Sequence, residues 1–211
     1  KAVELFKLFL EKFPDAKTTP AVKTSYAVTL FKTGTAENRK EAVSILQTVK
    51  ASKDTSDHLR TAAAYHLGKL LLESGDVEKA KAEFTALAAH PIESEDDMYS
   101  ALARLELAVI LDRENRKDKS EQLIRSLVDN KNTPPDILSA ALGFLAATDF
   151  ENKQYQKAAD TFEQICLLFP GSAAGREAYL RHFECLLLAK QYSRAIKELD
   201  REIIKLGVML T

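Results

Sequence analysis

The sequence predicts an all-α fold, a solenoid of antiparallel helix hairpins with about eleven helices. Two observations carry this. Small residues recur at Ala2, Ala42, Ala80, Ser120, Ala158 and Ala195, at spacings of 40, 38, 40, 38 and 37 residues. Each is followed four residues later by Phe6, Leu46, Phe84, Ile124, Phe162 or Leu199. Three further on come Phe9, Val49, Leu87, Leu127, Ile165 and, less regularly, Glu202-Ile203. That i, i+4, i+7 pattern marks one face of a helix. Second, the prolines Pro14, Pro20, Pro91, Pro134, Pro135 and Pro170 all fall in junctions between repeats and none inside a helix, where a missing N–H would break it. No strand-like alternation of useful length competes.

Taken in order, residues 1–13 form the second helix of a hairpin without its first, a half repeat over 1–15 closed by Phe13-Pro14-Asp15. Its Phe6, Phe9, Leu10 and Phe13 would leave an apolar face uncovered, so a longer natural chain is expected. Thr19-Pro20 opens the first full repeat, about 20–52, with Thr19 as cap and Pro20 at the first helical position; Gly34 ends its first helix. The later repeats span about 57–91, 95–131, 134–170 and 172–208, making one solenoid domain over 1–211. Thr133-Pro134-Pro135 repeats the cap-and-proline logic, and Asp112 to Lys119 is a solvated turn of mixed charge. The tail Ile203, Ile204, Leu206, Val208, Met209 and Leu210 is apolar. With the uncovered first helix it predicts self-association through exposed helical ends, or continuation of the chain.

The most regular stretch runs from Tyr65-His66-Leu67-Gly68 through the turn Ser74-Gly75-Asp76 to Ala80, Phe84, Leu87 and Pro91. Gly68 and Ala80 are small where two helices must approach, and Phe84 is large where a gap must be filled. This order of Leu-Gly, turn glycine, alanine, aromatic and closing proline resembles the tetratricopeptide repeat (TPR), whose usual period is about 34 residues. The resemblance implies a right-handed superhelix with a concave and a convex face. The closures Phe13-Pro14-Asp15 and Phe169-Pro170-Gly171-Ser172, the latter followed by Ala173-Ala174, are similar to those of bacterial envelope TPR proteins, the outer-membrane assembly lipoprotein and Tol-Pal-associated kinds. They tilt the expectation toward a bacterial periplasmic or membrane-associated scaffold.

Composition excludes several functions. Thirty basic residues against 31 acidic ones, a net charge of -1, offer no electrostatic footprint for nucleic acid. The longest apolar runs, such as Leu186 to Ala189, fall far short of the ~20 residues of a membrane-spanning helix. There is no phosphate loop, nucleophile elbow, His-Glu-x-x-His or Cys-x-x-Cys, so no catalytic residue, cofactor or metal is expected. His58 and His66 stand two helical turns apart, too wide to share a metal ion. Cys166 and Cys185 fall on consecutive helices; a partner for Cys166 belongs near Arg176, leaving roughly 13 Å to Cys185, too far for a disulfide. Two buried free thiols are expected. His182 near Cys185 is assigned to packing, because an apolar helix raises a thiol pKa.

What remains is surface. The resemblance implies that first-helix side chains facing away from the second helix line the inner groove. Carried over, these are Thr24, Ala27 and Phe31; Tyr65, Lys69 and Glu73; Leu105, Val109, Asp112 and Arg113; Ala147, Phe150 and Glu151; and Glu177, Leu180 and Glu184. They combine exposed aromatics with a surplus of acids, and they lack the Lys/Asn/Arg clamp of chaperone-binding members. The expected function is a protein–protein interaction scaffold, holding an apolar or basic partner segment rather than an acidic tail. The alternative is a docking or regulatory module of a larger enzyme or sensor.

Overall fold

The computed structural model describes the backbone of residues 1–209 and the side chains of residues 1–201. It is helical throughout, with no strand among the described residues. The helices are α1 (Ala2–Lys12), α2 (Thr19–Lys32), α3 (Ala36–Ala51), α4 (Asp57–Glu73), α5 (Val77–Ala88), α6 (Met98–Arg113), α7 (Lys117–Val128), α8 (Pro135–Glu151), α9 (Tyr155–Leu168), α10 (Ala173–Leu188) and α11 (Tyr192–Met209). The chain divides into two compact units, Lys1–Leu123 with Asp129–Pro134, and Ile124–Val128 with Pro135–Thr211.

In the first unit, helices pair through the small marker residues. Ala42 and Ala80 are fully buried, as are Leu46 and Phe84 four residues on. A Cβ built on Gly68 would stand 2.6 Å from the Phe84 ring, so the glycine makes room for the aromatic across the α4–α5 crossing. Ser120 is buried at the same position of α7, and its hydroxyl donates to the Ala108 carbonyl at 2.8 Å, leaving no orphan. On α1, Phe6 and Leu10 pack against the core, whereas Leu5, Leu8 and Phe13 are exposed. The exposed apolar residues are therefore Leu5, Leu8 and Phe13 rather than the expected row Phe6, Phe9, Leu10 and Phe13.

The second unit repeats the scheme with Ala158, Phe162, Ile165 and Ala195 buried. The thiol of Cys166 faces the Gly175 carbonyl at 3.5 Å, one residue from the expected Arg176, and both cysteines are free. Cys185 is buried as expected, but Cys166 is only half-buried. The expected apolar tail, Ile203, Ile204, Leu206, Val208, Met209 and Leu210, lies outside the residues whose side chains are described.

Two helix starts differ from expectation. Thr19 is the first residue of α2 rather than its cap, and its buried hydroxyl donates to the Phe13 carbonyl at 2.8 Å. A long first helix was expected from residue 95; instead Glu95–Asp97 form one 3-10 turn before α6. The Asp97 carboxylate accepts the N–H groups of Glu93 at 2.9 Å and Ser94 at 3.0 Å, and these bonds hold its pKa below the usual range.

Four hairpin turns share one geometry. Gly75, Asn115, Lys153 and Lys190 have φ of 85°, 60°, 60° and 58°. In each, the next residue's N–H donates back across the turn: Asp76 to Leu71, Arg116 to Leu111, Gln154 to Asp149 and Gln191 to Leu186, at 2.8–2.9 Å. This is a Schellman C-cap. Its left-handed residue is glycine only once, and a lysine is sterically disfavoured there. Lys153→Gly and Lys190→Gly should each stabilise the second unit by about 1 kcal/mol in urea unfolding, whereas Gly75→Lys should destabilise the first unit.

Candidate functional site

In the first unit the inner positions are already occupied by the protein's own side chains. Thr24 and Ala27 are buried, and Phe31, expected as an exposed aromatic, is 5% exposed with the Arg39 guanidinium over its ring at 5.2 Å. Tyr65 is half-buried, 6.0 Å from the Phe84 ring and 5.6 Å from that of Tyr99. Its hydroxyl donates to Glu106 at 3.3 Å, and Lys69 donates to the same oxygen at 2.7 Å. Burial first, then the Glu106 charge, pushes the Tyr65 pKa well up. Glu106 was not among the expected residues; its role depends on a partner 41 positions away. Leu105 and Val109 are half-buried, Glu73 and Arg113 exposed, and Asp112 pairs with Lys117 at 2.9 Å across the α6–α7 turn.

The second unit is open at the same place. Ala80 and Ala158 mark equivalent positions 78 residues apart, so Gly143 stands where Tyr65 does and Ala147 where Lys69 does. Ser120 and Ala195 are 75 apart, which puts Arg181 in the place of Glu106. The side-chain plug is gone and its acid has become a cation. The result is a cleft of about 440 Å³ between α8 and α10, floored by Phe162 and Ile165 and walled by Ala140, Gly143, Ala147, Ala174 and Ala178. Asp136, Glu177 and Arg181 stand at its rim. A Cβ on Gly143 would meet nothing within 4 Å, so no neighbour requires a glycine there.

Of the expected residues, Ala147 and Glu177 line this cleft. Phe150 flanks it: half-buried rather than exposed, it meets Tyr155 edge-on at 5.4 Å and carries the Arg181 guanidinium at 5.5 Å. Arg181 also donates to Glu184 at 2.8 Å, a bond that raises its pKa. Glu151 and Leu180 are exposed and do not line the cleft. The residues missed were Asp136, Gly143, Phe162 and Arg181. Aligning the repeats on their alanines would have exposed the Tyr65-to-Gly143 exchange.

Elsewhere, among the described residues, no cluster of three or more His, Cys, Asp and Glu side chains could hold a metal ion. No described helix is long and apolar enough to cross a membrane. Burial pushes the Cys185 thiol up to about 11, and burial likewise raises that of Cys166.

No family model matches the chain, and no curated protein sequence does. Solved structures do. BtubC (BKLC) from P. vanneervenii is similar with a TM-score of 0.67 at 14% identity, over 99% of this chain and 88% of that one. A putative kinesin light chain from Podosopora anserina, with nearly identical TPR-like repeats, gives 0.60 at 17% identity, over 88% of this chain and 94% of that one. A single-substitution variant of that protein gives 0.61 at 18% identity, over 92% and 98%. The fold is TPR-like. In TPR terms the open cleft lies between the first helices of two consecutive hairpins, with the second helix of the earlier hairpin as its floor.

Proposed function

We propose that this chain is a protein-interaction scaffold, and that the cleft of its second unit seats a large apolar side chain, best an aromatic one, from a partner segment carrying Lys or Arg. The observation that supports this is the exchange of Tyr65 for Gly143. A helix-interior glycine costs about 1 kcal/mol relative to alanine, and nothing packed against Gly143 offsets that cost. What the glycine provides is access to Phe162, 9% exposed where its equivalent Phe84 is fully covered. The first unit offers the precedent that supports an aromatic occupant, a tyrosine ring beside the floor aromatic.

Asp136, Glu177 and Glu184 outnumber Arg181 around the opening, which favours a basic flank on the partner. These charges are exposed, so they steer association more than they hold the complex, while the buried anchor sets the off-rate. The Phe-Pro closures, similar to those of envelope TPR proteins, support a place in a bacterial envelope assembly.

The test uses amidated peptides Lys-Lys-Phe-Lys-Lys and Lys-Lys-Ala-Lys-Lys, followed by chemical-shift changes at α8 and α10. The phenylalanine peptide should bind at the cleft about tenfold or more better than the alanine one. Gly143→Tyr, which copies the first unit's plug, should abolish the difference. Glu177→Lys with Glu184→Lys should chiefly slow association and reduce its salt dependence. Equal binding of the phenylalanine peptide by the parent protein and Gly143→Tyr would remove the cleft as the site.

A further inference from the structure

The last hairpin breaks the packing rule of the three before it. Gly68 makes room for Phe84, and the pairs in the same register are Ala108 with Ile124 and Ala146 with Phe162. Counted from Ala195, the corresponding pair is Phe183 with Leu199, large against large. Close packing leaves no room for both in the space that one ring fills at the α4–α5 crossing. Leu199 is accordingly 42% exposed, whereas Phe84 and Ile124 are fully buried. Beside Phe183 a cleft of about 590 Å³ opens between α9, α10 and α11.

The cleft has an apolar wall and two cations with donors to spare. The wall is Leu167, 75% exposed, with Tyr179 and Phe183, whose rings meet edge-on at 5.0 Å. Glu163 and Glu198 also line it, but their carboxylates are engaged within the protein. Arg194 donates to Glu163 and to Glu198, each at 2.7 Å, and the other Glu198 oxygen lies 2.6 Å from the His182 ring. Arg176 and Arg201 line the cleft from α10 and α11. Arg176 donates to the Gly171 carbonyl, and among the described residues no acid pairs with either guanidinium. Aligned on the marker residues, Arg176 stands where α8, α6 and α4 carry Ser139, Ala101 and Thr61. Arg201 stands where α9, α7 and α5 carry Gln164, Ser126 and Ala86. Both charges thus enter where the preceding three repeats have none.

We propose that this cleft is a binding site for a carboxylate carried on an apolar body, separate from the cleft between α8 and α10. The carboxylate is held by the Arg176 and Arg201 guanidiniums, and the body lies against Tyr179 and Phe183. A guanidinium presents paired N–H donors in the geometry of a carboxylate, and such charge-assisted bonds are the strong ones. An amide of the same shape loses the charge, an amine reverses it, and acetate lacks the body that the wall receives. The volume lies in the range of small-ligand pockets. A free aryl or acyl acid and the C-terminal residue of a peptide both present this chemistry.

The experiment titrates the protein with 4-phenylbutyrate and follows the NMR signals of the Gly171 and Gly175 amides and the Arg176 and Arg201 side chains. All four should shift together. 4-Phenylbutanamide, 4-phenylbutylamine and acetate should each bind about tenfold or more weakly. Arg201→Gln with Arg176→Ser, the residues of α9 and α8, should lower the affinity for 4-phenylbutyrate by a similar factor. Both side chains are exposed, so the melting temperature of the double variant should stay near that of the parent protein. Acetyl-Gly-Gly-Phe with a free C-terminus separates the two sources of the carboxylate, and the tighter of the two acids assigns the source. Binding of neither acid, equal binding of acid and amide, tighter binding of the amine, or full affinity in the double variant would each overturn the site.

Discussion

Phe84→Ala is expected to cost the first unit about 3–5 kcal/mol, the range for emptying a fully buried aromatic site. The Phe84 ring fills the space that Gly68 leaves across the α4–α5 crossing and meets Tyr65 at 6.0 Å. Gly68→Leu alone should overpack the same space and cost about 1–3 kcal/mol. The pair in combination should cost less than the sum, because the leucine enters the cavity that the phenylalanine vacates. A double-mutant cycle by urea unfolding measures this coupling. Strict additivity would show that the two positions do not share one space.

The second large effect is at Gly175, in the first turn of α10. A Cβ there would lie inside the contact distance of the Phe169 carbonyl oxygen, a backbone atom with no rotamer to move. That oxygen is also fixed by the Ser172 hydroxyl at 2.8 Å, and the same hydroxyl accepts the Gly175 N–H at 2.9 Å. The Phe169-Pro170-Gly171-Ser172 closure and the entry into α10 are therefore one rigid turn. Gly175→Ala should cost about 3 kcal/mol, at the upper end for overpacking, because backbone must shift to admit the methyl group. Gly143→Ala is the internal control: open space and helix propensity make it stabilising by up to about 1 kcal/mol. Thermal unfolding of the two variants should move in opposite directions. A shared direction would mean that helix propensity outweighs the turn at Gly175.

Much of the fold was legible because it is written in local terms. Several helix bounds follow from proline and glycine punctuation, at Pro14, Gly34, Gly75, Pro134 and Pro170-Gly171, and the buried rows Ala42–Leu46–Val49, Ala80–Phe84–Leu87 and Ala158–Phe162–Ile165 from one helical period. The misplaced residues were decided by packing in one case and by a hydrogen bond in the other. Phe31 and Phe150 were expected as groove aromatics because they are large and fall on the right helix, but a large ring beside a neighbouring helix packs inward when that side has room. Thr19 looked like a cap because Thr-Pro is a cap signal, yet its hydroxyl found a carbonyl six residues back.

By itself, then, the sequence determined that this chain is helical, about where its helices fall, and which residues of the second helices α3, α5, α7 and α9 are buried. Those depend on spacing within a dozen residues, and hydrophobic burial is decided by pattern rather than by partner. Only the tertiary structure decided which inner positions are plugged and which are open. Tyr65, Lys69 and Glu106 fill one inner position of the first unit through contacts between residues some forty positions apart, where Gly143, Ala147 and Arg181 leave a cleft in the second. The same holds for His182, whose ring is held between a carbonyl on one neighbouring helix and a carboxylate on another. Hydrogen bonds and ion pairs are directional and short in range, so their partners are fixed only once the helices are in place.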